Sequence, residues 1–172
     1  MKSVCSASNR RVKATLAAIG LCFAVVSTTP AAAPAAPVAT GACETTAAKV
    51  KVSKTYQETN LTTYVNVTDT PIAFTQGRTD CVIVSFSSEA FAAANTSMFV
   101  RAVLDGNVCE PDDNRFVASV GGGGASDFGN RAMNFLCLNV APGNHTVKMQ
   151  FRSTSDGTVA LQYRTMIVHY AK

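Results

Sequence analysis

The stretch FLCLNVAPGNHTVKMQF (135–151) joins two apolar runs through a Pro-Gly-Asn tip that a histidine follows at once. In the second run Val147, Met149 and Phe151 share one parity, and Thr146, Lys148, Gln150 and Arg152 share the other. Period two is the mark of a strand with one buried face. Pro142 fixes φ, Gly143 admits positive φ and Asn144 favours turns, so the tip serves the backbone. The stretch reads as a β-hairpin, and His145 opens its second strand with no catalytic constellation beside it. In the first run Leu136, Leu138 and Val140 are expected inside, with Cys137 on the opposite face.

The same alternation recurs on both sides. It predicts strands over 49–56, 61–67, 71–76, 81–87, 97–105, 115–120, 131–140, 145–152 and 158–170. The run at 71–76 begins with Pro71 and suits a sheet edge. Helical periodicity is nearly absent; residues 87–95, SSEAFAAAN, fit a loop or one turn of helix. In the last strand Val159, Leu161 and Tyr163 lie on one parity and Met166, Val168 and Tyr170 on the other. Either a β-bulge near Arg164 and Thr165 shifts the phase, or both faces are buried. The expected core is Val82, Val84, Phe86, Val100, Leu104, Leu136, Leu138, Val147, Met149, Phe151 and Leu161. Nine short strands separated by turn residues predict an all-β sandwich or barrel, and an antiparallel sandwich is the expected fold.

The N-terminus has a different character. Lys2, Arg10, Arg11 and Lys13 precede an uncharged apolar run of 13 residues (14–26) and then a segment rich in small residues. That order is the secretory signal pattern, and the run is shorter than the roughly 20 residues of a spanning helix. Residues 1–33 are read as a signal peptide cleaved between 31 and 39. Residues 34–45 form an Ala/Pro-rich flexible tail, and 46–172 a single domain. The chain is thus expected in the extracellular space, or in the periplasm of a Gram-negative cell, with no membrane span. Leu21 before Cys22, and the distance of Cys43 from the apolar run, count against a lipid anchor.

Charge follows the same division. The chain has 15 basic and 11 acidic residues, and four of the basic ones lie in the signal, which leaves 11 of each. A neutral chain without a run of Lys and Arg gives no footprint for nucleic acid. Cys43, Cys81, Cys109 and Cys137 remain after cleavage, at spacings of 38, 28 and 28 residues. No Cys-x-x-Cys knuckle favours zinc, so an even number in an exported chain reads as two disulfides. Of the three pairings, Cys43–Cys81 and Cys109–Cys137 are expected. The first pins the tail to a core strand, and the second ties an acidic loop across the strand at 115–120.

That acidic loop, LDGNVCEPDDN (104–114), offers Asp105, Glu110, Asp112 and Asp113 as calcium ligands. Asp-Gly and Pro-Asp are also turn formers, and a solvated turn with no cofactor is the favoured reading. His145 and His169 are the only histidines. No Gly-x-Ser-x-Gly elbow accompanies them, and the serines of SFSS (85–88) read as solvent-facing. The glycine-rich segment VGGGGASDFGNR (120–131) lacks the Gly-Lys-Ser/Thr ending of a phosphate loop and reads as a loop at one end of the sandwich. Asn60, Asn66, Asn95 and Asn144 stand in glycosylation sequons, which matter only in a eukaryotic secretory pathway.

FVRAVLDGNVCEPDDNRFVASV (99–120) followed by FLCLNVAPGNHTVKMQFRSTSDGTVALQYRTMIV (135–168) is similar to jelly-roll sandwiches of secreted bacterial proteins. There an Asp-Gly turn follows one strand, and a Pro-Gly-x-His-Thr-Val hairpin precedes the last two. The resemblance covers about residues 80–170. It implies an antiparallel jelly roll of eight to ten strands, like carbohydrate-binding modules and trimeric tumour-necrosis-factor-like heads, and it implies no catalytic residues. The absence of tryptophan departs from the many carbohydrate-binding modules that use surface Trp. Two functions follow as expectations. The first is a non-catalytic module that binds an extracellular carbohydrate, surface polymer or protein, or serves a structural role, with oligomers among the outcomes. The second is a small secreted hydrolase without a recognisable motif. Mass spectrometry of the exported protein should find its N-terminus between residues 32 and 43; an intact Met1 outside the cell would contradict the signal reading.

Overall fold

The computed structural model describes residues 43–119 and 128–172. The signal peptide, all but the last residues of the tail, and residues 120–127 of the glycine-rich segment lie outside them. Eleven strands and no helix are present among the described residues. They are β1 (Ala47–Ser53), β2 (Gln57–Thr59), β3 (Val65–Asn66), β4 (Ile72–Gln76), β5 (Asp80–Ala92), β6 (Ser97–Leu104), β7 (Asn107–Val108), β8 (Asn114–Ala118), β9 (Gly129–Val140), β10 (Gly143–Ser153) and β11 (Val159–Tyr170). One sheet runs β1-β11-β5-β9, with β2 also on β11. The other runs β3-β10-β6-β7, with β4 also on β10 and β8 also on β6. Every pairing is antiparallel. The fold is therefore an all-β antiparallel sandwich. It has two strands more than the nine runs of alternation, because the three-residue β2 and two-residue β7 are too short to show periodicity, and so one more than the eight to ten of the resemblance.

The core lies between the sheets. Val82, Val84 and Phe86 of β5 meet Met98, Val100 and Ala102 of β6, and Val147, Met149 and Phe151 of β10 complete the layer, all essentially inaccessible. Burying each large apolar side chain contributes about 1.5–3 kcal/mol. Residues 87–92, expected as loop or helical turn, continue β5 instead. Glu89 and Phe91 point outward while Ser88, Ala90 and Ala92 point inward. Pairing with β9 and β11 over this span outweighs the helix preference of alanine.

Two bulges decide which residues face that core. In β11 the register against β5 shifts between Gln162 and Thr165, and Tyr163 has φ 47°. The phase break foreseen near Arg164 is thus a bulge, and it turns Tyr163 outward, 55% exposed, and Arg164 inward. In β9 the register against β5 shifts between Asp80 and Val82, and Asn139 has φ 53°. Phe135, Cys137 and Val140 face in, whereas Leu136 is half-buried and Leu138 is 40% exposed. This corrects the expected core. Both parities of this run are apolar, and the ring of Phe135 and the bonded sulfur of Cys137 occupy the interior.

The disulfides are Cys43–Cys81, with Cα atoms 5.4 Å apart, and Cys109–Cys137, 4.5 Å apart. The first fastens the chain ahead of β1 to the start of β5, and the second fastens the end of β7 to β9. Each closes a loop worth about 4 kcal/mol in the chain-entropy description. Replacing Phe135 by Ala should cost about 3–5 kcal/mol, and Leu138→Ala less than about 1 kcal/mol, read as shifts in the denaturation midpoint. Equal costs would place Leu138 in the core after all.

Candidate functional site

At one end of the sandwich β6 turns into β7 through Asp105-Gly106, with φ 47° and 93°. Two central residues with positive φ make a type I′ turn, which suits the twist of the flanking strands. The turn aims the Asp105 carboxylate at the beginning of β10. Thr146 N–H donates to Asp105 Oδ1 at 2.8 Å, and Asp105 N–H donates to the Thr146 carbonyl at 3.0 Å. His145 Nδ1 lies 2.6 Å from Asp105 Oδ2, and His145 Nε2 lies 2.8 Å from the Ala141 carbonyl. The imidazole also packs against the Phe74 ring, 5.6 Å between centroids. Both ring nitrogens thus face acceptors, an arrangement that only the doubly protonated ring satisfies.

The electrostatics follow. Burial works against charge on His145, but the Asp105 hydrogen bond, the Ala141 carbonyl and the Asp105 charge outweigh it and hold its pKa above the ordinary 6.5. Burial likewise opposes ionisation of Asp105, but the Thr146 N–H and the His145 ring hold it below its ordinary 3.8. The clasp borders a cavity of about 440 Å³ whose rim also carries Val108, Glu110, Leu138 and the Cys109–Cys137 bridge. Among the described residues no serine or threonine lines it.

The four acidic candidates for calcium do not converge. Asp105 is engaged with His145 and Thr146, and Asp113 takes a two-pronged contact from Arg152 at 2.8 and 2.9 Å plus the Tyr64 hydroxyl. Glu110 exchanges backbone hydrogen bonds with Leu136, and Asp112 is exposed. Among the described residues no group of three or more His, Cys, Asp or Glu side chains is placed to hold a metal ion. His169 lies on the outer face of the first sheet, between Ala48 and Ile83 in register. Ser85 and Ser87 share that outer face, while Ser88 is buried and donates to the Gln162 carbonyl at 2.8 Å. Asn60, Asn66, Asn95 and Asn144 are all exposed.

A second feature was not readable from the sequence. The outer face of the second sheet gathers cations that lie far apart in the chain. Arg152 of β10 stands opposite Phe99 of β6, which stands opposite Arg115 of β8. In the next row Asn66 of β3, Gln150 of β10 and Arg101 of β6 line up. Arg101 stacks on the Tyr64 ring at 3.8 Å and Arg152 on the Phe99 ring at 4.7 Å. Arg101 Nε donates to Gln150 Oε1 at 2.8 Å, and Gln150 Nε2 donates to Asn66 Oδ1 at 2.9 Å. Burial and the hydrogen bond to Asp113 push the Tyr64 phenol up to about 12, so it stays neutral at every physiological pH. Lys148 lies farther along β10 on the same face. Four cations thus share the face with the Asp113 carboxylate, and the guanidiniums are oriented by rings and amides.

The clasp makes a signed prediction. Because His145 titrates above its ordinary value in the fold, its contribution is complete below pH 6.5 and fades as pH rises through the raised value. The Asp105 contribution is present above pH 3.8 and fades as pH falls through the lowered value. Thermal midpoints measured from pH 6 to 9 should therefore fall more for the parent protein than for His145→Gln. Parallel curves would mean that the pair adds nothing.

No protein-family model matches the chain, and no curated protein matches it. Solved structures similar to it include a GH115 4-O-methyl-α-glucuronidase, BtGH115A, at 12% identity and TM-score 0.44, over 80% of this chain and 19% of that one. Latent PorU from Porphyromonas gingivalis is 10% identical with TM-score 0.44, over 78% of this chain and 14% of that one. The VP2 protein of infectious bursal disease virus is 10% identical with TM-score 0.39, over 81% of this chain and 40% of that one. The chain therefore spans well under half of each of these proteins, and likeness this distant carries no functional argument.

Proposed function

We propose that the chain is an exported, non-catalytic β-sandwich module that binds an acidic extracellular glycan through the outer face of its second sheet. The observation that carries this reading is the in-register array of Arg101, Arg115 and Arg152 with Tyr64 and Phe99. Guanidinium forks match carboxylate and sulfate geometry, and rings and amides beside them suit a sugar. Export is supported by the two disulfides and by the basic-apolar-small order at the N-terminus. No helix of the described residues is long and apolar enough to cross a membrane. With the short β2, β3 and β7 set aside, the orders β1-β11-β5-β9 and β4-β10-β6-β8 support a jelly-roll reading.

The hydrolase reading draws on one observation, the His145–Asp105 pair beside a cavity. A histidine that serves as a base needs a free nitrogen turned towards a nucleophile. Here the second nitrogen is engaged by the Ala141 carbonyl, and among the described residues the cavity lining offers neither a hydroxyl nor a free thiol. The clasp is therefore read as a structural tie between the β6–β7 turn and β10.

Affinity electrophoresis tests the proposal. A gel containing polygalacturonate should retard the protein, one containing neutral dextran should not, and added salt should weaken the effect. Arg115→Ala, at an exposed position, should weaken retardation roughly tenfold. Equal mobility in both gels, or tighter capture by single-stranded DNA than by polygalacturonate, would overturn the glycan assignment.

A further inference from the structure

Along one side of the sandwich β9, the edge of the first sheet, meets β7 and the residues that follow it, the edge of the second. Glu110 and Leu136 join the two. Glu110 N–H donates to the Leu136 carbonyl at 2.8 Å, and Leu136 N–H donates to the Glu110 carbonyl at 2.6 Å. The Cys109–Cys137 bridge lies beside that pair. Backbone groups along a strand face the same side at every second residue. Cys109 N–H turns towards β6, where it donates to the Ala102 carbonyl at 3.0 Å. The main-chain groups of Val108 therefore turn the other way, towards β9. By the same alternation from Leu136, the N–H of Leu138 turns towards β7. An antiparallel ladder continued from Glu110–Leu136 would pair Val108 with Leu138, yet among the described residues no such pairing forms. Val108 stays in register with Val103 of β6, and the cavity of about 440 Å³ opens between the two edges.

We propose that this cleft accepts a strand: an extended segment of a partner protein enters between β7 and β9 and bonds to Val108 on one side and to Leu138 on the other. Two opposed backbone edges are matched by a strand, which carries N–H and C=O groups on both sides, and not by a helix, which bonds its own. Size agrees. At about 4.8 Å between strands, 3.3 Å per residue and 10 Å through a sheet, an inserted residue fills about 160 Å³, so the cavity holds about three. The side chains can be assigned from the walls. Those pointing inward meet Leu104, Val140 and the disulfide, which suits valine. The one between them points outward along Val108 and Leu138, each 40% exposed. Beside it stands Glu110, exposed and without an ion pair among the described residues. A lysine fits there, with its stem on the apolar pair and its ammonium at the carboxylate. Charge on the edges points to the same strand. On β1, Lys49 and Lys51 discourage strand addition, whereas β9 has no charged residue from Ala132 to Val140.

Amide hydrogen exchange, followed residue by residue by NMR, provides the test. The probe is the acetylated and amidated peptide Ser-Thr-Val-Lys-Val-Thr-Ser at roughly 1 mM, the weak end of binding affinity. Without peptide the Val108 and Leu138 amides should exchange fast, as unbonded edge groups do. With it both should slow at least about tenfold. The same peptide with proline in place of lysine lacks the N–H and the charge, and it should protect neither amide. Glu110→Lys, at an exposed position, should weaken the lysine peptide about tenfold, and glutamate in place of the peptide's lysine should then restore binding. Amides that the lysine peptide leaves unchanged would overturn the proposal. So would peptide binding that shifts resonances elsewhere while these two amides stay fast. Amides already as slow as those of β10 before peptide is added would also overturn it, since the chain itself or a second copy would then fill the cleft.

Discussion

Parity governs this molecule. A side chain in a strand points to the core or to solvent, and a single extra residue reverses every assignment beyond it. Two positive-φ residues, Asn139 in β9 and Tyr163 in β11, supply that extra residue. The bulge at Tyr163 lets Val159 and Leu161 share the interior with Met166 and Val168 although they differ in parity. Its cost is Arg164, which is left 1% exposed. Arg164 donates to Gln57 Oε1 at 3.2 Å and to Ser53 and Thr68 hydroxyls at 3.3 Å, while its Nε has no partner among the described residues. Desolvation lowers its pKa, with the Asp69 charge opposing the fall. A buried guanidinium held by neutral oxygens fastens β11 to β1, β2 and the chain before β4.

The bulge at Asn139 has a different consequence. It brings Val140 back to the interior after Leu138 and Asn139 have both faced solvent. Phe135 and Cys137 can then point inward, where Cys137 meets Cys109. Leu136 and Leu138 are placed on the outer face of the first sheet. The same local kink therefore supports the disulfide and contributes to the apolar character of that face.

These features explain what was legible in the sequence. Strands with one clean apolar parity, such as β6 and β10, can be read directly, and the conflicting parities of the last strand announce its bulge. FLCLNV is apolar on both parities, so its inner face depends on a bulge residue that the alternation does not reveal. KVKV on β1 alternates cleanly, yet its valines face outward, while Lys49 and Lys51 reach the Ala73 carbonyl of β4 and the Pro71 carbonyl just before it. The His145–Asp105 contact spans 40 residues and arises from a turn docking on a hairpin, which leaves no trace in spacing. The cation face is hidden for the same reason. Arg101, Arg115, Lys148 and Arg152 lie on three strands, and only their register brings them together.

The sandwich thus has one charged, aromatic outer face on its second sheet, with the His145 clasp at one end between the β6–β7 turn and β10. Binding assigned to the charged face is tested most directly by a chemical-shift map of isotope-labelled protein during titration with polygalacturonate. The perturbed resonances should cluster at Phe99, Arg101, Arg115 and Arg152 on neighbouring strands of the second sheet and at Tyr64, whose ring lies against Arg101 and Arg152. Perturbations centred on His145, Glu110 and Leu138 around the cavity would instead assign recognition to the end of the sandwich and contradict the proposed role of the arginine face.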